Sequence, residues 1–90
     1  ALADYEGWAL FDAVATHGSF RDAAKATGLS VPTVSKAVHR LETALGVALF
    51  HRTSRSVTLS AAGERLAVQA RAMVVAAAQA EEAARIDAQT

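Results

Sequence analysis

The only proline in the chain, Pro32, sits just inside a stretch that otherwise reads as strong helix, "GLSVPTVSKAVHRLE", residues 28 to 42. Inside a helix, proline removes a hydrogen bond and clashes with the preceding turn, at a cost of about 3 kcal/mol. In the first turn that cost vanishes, because the N–H groups there have no helical partner. Pro32 therefore sets the frame. Ser30 is the N-cap, Val31 and Pro32 fill the first turn, and Gly28 ends the preceding helix as a left-handed cap. The sequence predicts two helices meeting at a tight corner, with the small Ala23 and Ala24 where they touch.

The remaining elements follow from the same punctuation. Asp4 caps a first helix whose inward face is Trp8, Phe11, Val14 and Ala15, and which stops near His17-Gly18. Ser19 opens a short second helix in the pattern of a capping box, with Phe20, Ala23 and Ala24 inward. Leu29 is expected to plug the corner. The third helix carries Val34, Val38, Leu41 and Leu45 inward and ends at Gly46. Leu49-Phe50 and Val57-Thr58-Leu59 are short β-prone pieces around the polar, basic "RTSRS", which reads as a hairpin. Ser60 then caps a long fourth helix, expected to run to about Ala84. Ninety residues make one small, mainly α domain.

Net charge is zero, which by itself argues against a polyanionic partner. The distribution argues the other way. Residues 1–20 carry three acids and no Lys or Arg, residues 21–71 carry eight basic against three acidic side chains, and residues 72–90 carry one against three. A polyanion responds to the local field, since screening cuts off beyond about 8 Å at physiological salt. On the third helix the face opposite the apolar stripe is Thr33, Lys36, His39, Arg40 and Thr43, with Ser35 at its edge. Such a helix fits a major groove about 12 Å wide, tip first, with Ser30, the free N–H groups and the positive dipole end toward phosphate. The hairpin follows at once, with Arg52, Thr53 and Arg55 able to reach phosphates or a minor groove. A two-helix corner with a basic face also occurs in helical bundles of other purpose. For Lys36 and Arg40 taken alone a solvated face is the commoner explanation, and Arg21 is a weak phosphate contact or plain surface.

Three ordered pieces of the chain carry a resemblance: "F..VA..GSF..AA" from Phe11 to Ala24, "LS.PTVSKAV.RLE..LGV.LF.RT.RSV.L" from Leu29 to Leu59, and "S.AG" from Ser60 to Gly63. They resemble the N-terminal DNA-binding domain of LysR-type transcriptional regulators over about residues 8 to 85. The resemblance implies a winged helix-turn-helix: a three-helix core and a small β-hairpin wing at 1–59, then a linker or dimerisation helix at 60–90. It also implies a homodimer on a double-stranded DNA operator, higher oligomers in a full-length protein, and an effector-binding domain absent from this chain. The expected DNA contacts are Ser19 and Arg21, then Ser30, Val31, Pro32, Thr33, Ser35, Lys36, His39 and Arg40, then Arg52, Thr53 and Arg55. Val31 stands where the family often has Gln, so it can touch a thymine methyl but cannot hydrogen-bond a base. Thr27 stands for a usual Leu, and Ser60 for a usual Thr.

In the fourth helix Leu59, Gly63, Leu66, Ala70, Met73, Ala77, Ala80 and Ala84 fall at steps of four and three, a heptad seam. The part through Leu66 is expected to lie on its own domain. The rest, Ala70, Met73, Val74, Ala77, Ala80 and Ala84, is expected to meet a second copy, with Leu66 at the margin of that interface. Catalysis has little support. His17, His39 and His51 are scattered and there is no cysteine, so neither a metal site nor any cofactor is expected. No apolar run reaches the roughly 18 residues of a membrane span, and the chain is expected to work in a bacterial cytoplasm, at the nucleoid. The alternative reading is a helical dimerisation or scaffold module whose basic patch meets an acidic protein.

Overall fold

The computed structural model describes residues 2–52 and 57–89. The order is α1 (Tyr5–His17), α2 (Phe20–Thr27), α3 (Val31–Leu45), β1 (Phe50–Arg52), β2 (Val57–Leu59) and α4 (Ala61–Ala88). Each helix begins on a side-chain cap that accepts the N–H three residues on: Asp4 from Gly7, Ser19 from Asp22, Ser30 from Thr33 and Ser60 from Gly63. Three helices end on glycines in the left-handed region, Gly18, Gly28 and Gly46. Pro32 lies in the first turn of α3, where its missing donor is no loss.

The core gathers one face of each helix and the start of the hairpin. Phe11, Leu41, Leu49, Val14, Val34 and Val38 are its largest fully buried side chains. Phe11 meets Phe50 edge-on at 5.5 Å, and Phe50 meets Phe20 at 5.8 Å. These rings tie α1, β1 and α2 together. β1 and β2 pair antiparallel, with Phe50 opposite Leu59 and Arg52 opposite Val57. At the root of α4, Ser60 N–H donates to Leu49 O at 2.9 Å and Ser60 Oγ donates to Ala48 O at 2.7 Å. A Cβ on Gly63 would lie 2.0 Å from that same Leu49 carbonyl oxygen, so only glycine lets the helix seat here.

Five sequence expectations need correction. Leu29 is 41% exposed; its N–H closes the α2 end on Ala24 O, while its side chain stays outside. Leu45 is exposed as well, because the last turn of α3 has run past the core. Ala15 is only half-buried, while Leu10 and Ala13 are buried instead. α4 packs on its own domain well beyond Leu66. Ala70 is completely buried against the core and Met73 packs on it, so Ala70 has no surface left for a second copy, and Leu66 and Met73 have part of theirs taken. α1 and α4 form the most extensive helix contact in the chain. α4 also runs on to Ala88, past the expected end.

Candidate nucleic-acid interface

Ser30 and Thr33 form a linked polar pair at the tip of α3. Their hydroxyls lie 2.9 Å apart, and Ser30 Oγ also accepts the Thr33 N–H at 3.3 Å. Val31, Pro32 and Thr33 are exposed around this cap. Farther along the same helix Lys36 and His39 are exposed, and Ser35 is half-buried at the edge. Val34, Ala37, Val38 and Leu41 occupy the buried side. The sequence expectation of a short-chained polar face opposite an apolar stripe is therefore what the helix presents. On α2, Ser19 is spent on the cap and is half-buried, whereas Arg21 and Lys25, one turn apart, are exposed.

The basic side chains fall into two sets that the sequence does not separate. Arg40 is held by α1: its Nε donates to Asp4 Oδ2 at 2.7 Å, and its Nη2 donates to Asp4 Oδ1 at 3.1 Å and to Glu6 Oε1 at 3.2 Å. The Arg40 hydrogen bond, with help from the Gly7 N–H, holds the Asp4 carboxyl below the usual carboxylate range, and the hydrogen bonds to Asp4 and then Glu6 push the Arg40 guanidinium up. Arg52 is held by Glu42, Nη2 to Oε1 at 2.9 Å, and lies over the Phe20 ring at 5.4 Å. Arg71 is held by Asp12 at 3.2 Å, and Arg85 pairs with Glu82 on its own helix. Among the described residues Arg21, Lys25, Lys36 and Arg65 have no such carboxylate partner. The positive charge available to an anion thus sits on α2, on the N-terminal half of α3 and, through Arg65, on the start of α4. Thr53 and Arg55, expected at the wing tip, lie outside the described residues.

Glu42 is a residue the sequence reading passed over. Its side chain is 12% exposed, and it also accepts the Leu49 N–H at 2.8 Å. One carboxylate thereby joins the end of α3, the root of β1 and the wing arginine. Asp12 was missed too, although an acid flanked by Phe11 and Ala13 on the buried side of α1 is a signal for an internal ion pair. No group of His, Cys, Asp or Glu among the described residues is arranged to hold a metal ion, and no helix is long and apolar enough to cross a membrane.

Comparison with known proteins bears on this arrangement. The family of bacterial regulatory helix-turn-helix proteins, lysR family, matches residues 6–64. A probable hydrogen peroxide-inducible genes activator of Streptomyces viridosporus is 56% identical over 64 residues, 71% of this chain and 20% of that protein. The chain thus spans about a fifth of the length of that curated relative. Among solved structures, the DNA-binding domain of BenM in complex with catB site 1 DNA superposes with a TM-score of 0.87 at 25% identity, covering 98% of this chain and 99% of that one. The DNA-binding domain of CbnR in its DNA complex gives 0.82 at 31% identity, covering 96% and 99%.

Proposed function

The chain belongs to the LysR family of bacterial helix-turn-helix regulators, and from that membership we propose that it is a winged helix-turn-helix reader of a double-stranded DNA operator, acting as a homodimer in transcription control. The observation that carries this reading is the exposed polar face of α3, with its capped tip, in a fold that matches nearly its full length to domains solved on DNA. The tip residues Ser30, Val31, Pro32, Thr33, Ser35 and Lys36 enter the major groove and read bases, with His39 farther along. Arg21, with Lys25 beside it, supplies sequence-independent phosphate attraction, and so does Arg55 on the wing. Arg40 and Arg52 support this surface as held charges more than as free phosphate contacts.

The functional division we propose falls inside α4. Its first part, through Met73, completes the reading unit, and its second part, with Val74, Ala77, Ala80 and Ala84, meets a second copy. The chain performs no catalysis of its own in this reading. Its place is the bacterial cytoplasm, where the nucleoid holds the operator.

Titration with random duplex DNA at two salt concentrations tests the core of the proposal. Log K falls with log salt by about 0.9 for each phosphate neutralised, so a slope of several is expected. A flat response would favour a scaffold module that uses the same patch for an acidic protein.

A further inference from the structure

Arg71 stands where α4 leaves the body of the domain. Ala70 just before it is completely buried, Met73, Val74 and Ala77 are half-buried, and every described residue from Ala78 onward is exposed. The Arg71 guanidinium reaches α1 at two points one turn apart: Nε lies 3.2 Å from Asp12 Oδ1, and Nη2 donates to Thr16 Oγ1 at 2.6 Å. The Asp12 side chain is only 10% exposed, so its carboxylate has little water to turn to, and Arg71 is the cation that reaches it. A two-point contact from a planar, forked group fixes direction as well as distance.

We propose that the Asp12–Arg71–Thr16 contact is a positioning device that sets the angle at which α4 leaves the reading unit, and through it the spacing of operator half-sites that the dimer accepts. The inference rests on the dimer reading given above. The magnitude makes it reasonable. The 18 residues from Arg71 to Ala88 form a lever of about 26 Å. A change of ~10° at the pivot moves the far end by about 4–5 Å, more than one base-pair step of 3.4 Å. A recognition helix is tied to its partner's only through such levers, so a loose pivot blurs the distance between the two.

The test uses synthetic duplexes carrying two copies of a half-site selected by the wild-type chain from a random duplex pool, with spacers varied one base pair at a time. Arg71→Met keeps the aliphatic stem and removes both contacts, but it leaves Asp12 buried without its cation. The double variant Asp12→Asn with Arg71→Met removes the charge on both sides and guards against simple misfolding. Wild type is expected to lose about tenfold or more in affinity one or two base pairs from its best spacer, and the variants to lose less than about threefold across the same series. Both variants are expected to remain dimers by sedimentation. Merely lowered stability would depress all spacers in parallel and leave the shape of the profile unchanged, and that outcome overturns the inference. If wild type is monomeric, or indifferent to spacing, the dimer reading itself fails.

Discussion

Asp4 caps α1 and grips α3 with the same carboxylate. Its Oδ1 accepts the Gly7 N–H at 3.0 Å, while Oδ1 and Oδ2 together receive the Arg40 guanidinium, at 3.1 and 2.7 Å. Arg40 lies on the recognition-helix candidate and by position belongs with Lys36 as a DNA contact. Its geometry assigns it differently, because a phosphate would have to displace two carboxylates to claim it.

Lys36→Ala and Arg40→Ala are therefore expected to separate in a salt titration. Losing Lys36 removes one available cation and lowers the salt slope by about 0.9. Losing Arg40 leaves the slope near wild type, although affinity can fall if α3 shifts against α1. Equal loss of slope in the two variants would mean that Arg40 exchanges its carboxylates for phosphate on binding.

The same carboxylate has an acid signature. Its pKa lies below the ordinary value because Arg40 and the Gly7 N–H favour the ionised form. A group depressed in the folded state contributes stability that is present above its unfolded pKa and is lost as pH falls through the folded one. Helical circular dichroism, followed in mild urea, should show weakening as pH drops from about 4 downward. Asp4→Asn should be less stable than wild type at neutral pH and should lack that part of the acid dependence. An Asp4→Asn curve parallel to wild type through the acid range would show that the contact contributes nothing to folding.

Much of this arrangement was legible from local chemistry. Asp4, Ser19, Ser30 and Ser60 all cap as the sequence predicts, since a cap needs only its own next three residues. The hairpin pieces and the polar face of α3 were legible for the same reason. What escaped were the pairings between side chains on helices far apart in the chain. Arg40 finds Asp4 across 36 positions and Arg71 finds Thr16 across 55, and no periodicity records such pairs. The α4 seam is apolar, as its spacing predicts, but Ala70 on it is buried within its own chain; heptad spacing looks the same whether the facing helix is α1 or a second copy.

Glu42 offers a test of the root of the wing. Glu42→Ala strips the Leu49 N–H of its acceptor in a place where Leu49 is completely buried. An unpaired buried donor costs about 1–3 kcal/mol, and denaturant unfolding should read that loss. Glu42→Gln keeps an oxygen for the amide and gives up only the half-exposed Arg52 pair, so it should lose less than half as much. If Ala and Gln variants are equally destabilised, the Arg52 ion pair is the main contact and the amide bond the lesser one.

The two ends of α4 should respond oppositely to the same change. Ala70 has no exposed surface in a single chain, so Ala70→Glu forces a carboxylate into the core and should abolish cooperative unfolding. Ala80 is exposed, so Ala80→Glu costs a lone chain little. In a dimer paired through Ala77, Ala80 and Ala84 it brings like charges together away from water, which is several kcal/mol against association if both stay ionised. The expected result is a folded monomer by sedimentation with wild-type helical content. Such a monomer would hold a single half-site and lose the gain from two linked readers, which is commonly a factor of 100 or more. Val68, Val75 and Ile86 are also exposed, and heptad spacing puts them on the side of α4 away from Ala70. Should Ala80→Glu stay dimeric while Val75→Glu becomes monomeric, the second copy sits on that opposite stripe, and the face shared by Ala70 and Ala84 serves α1 alone.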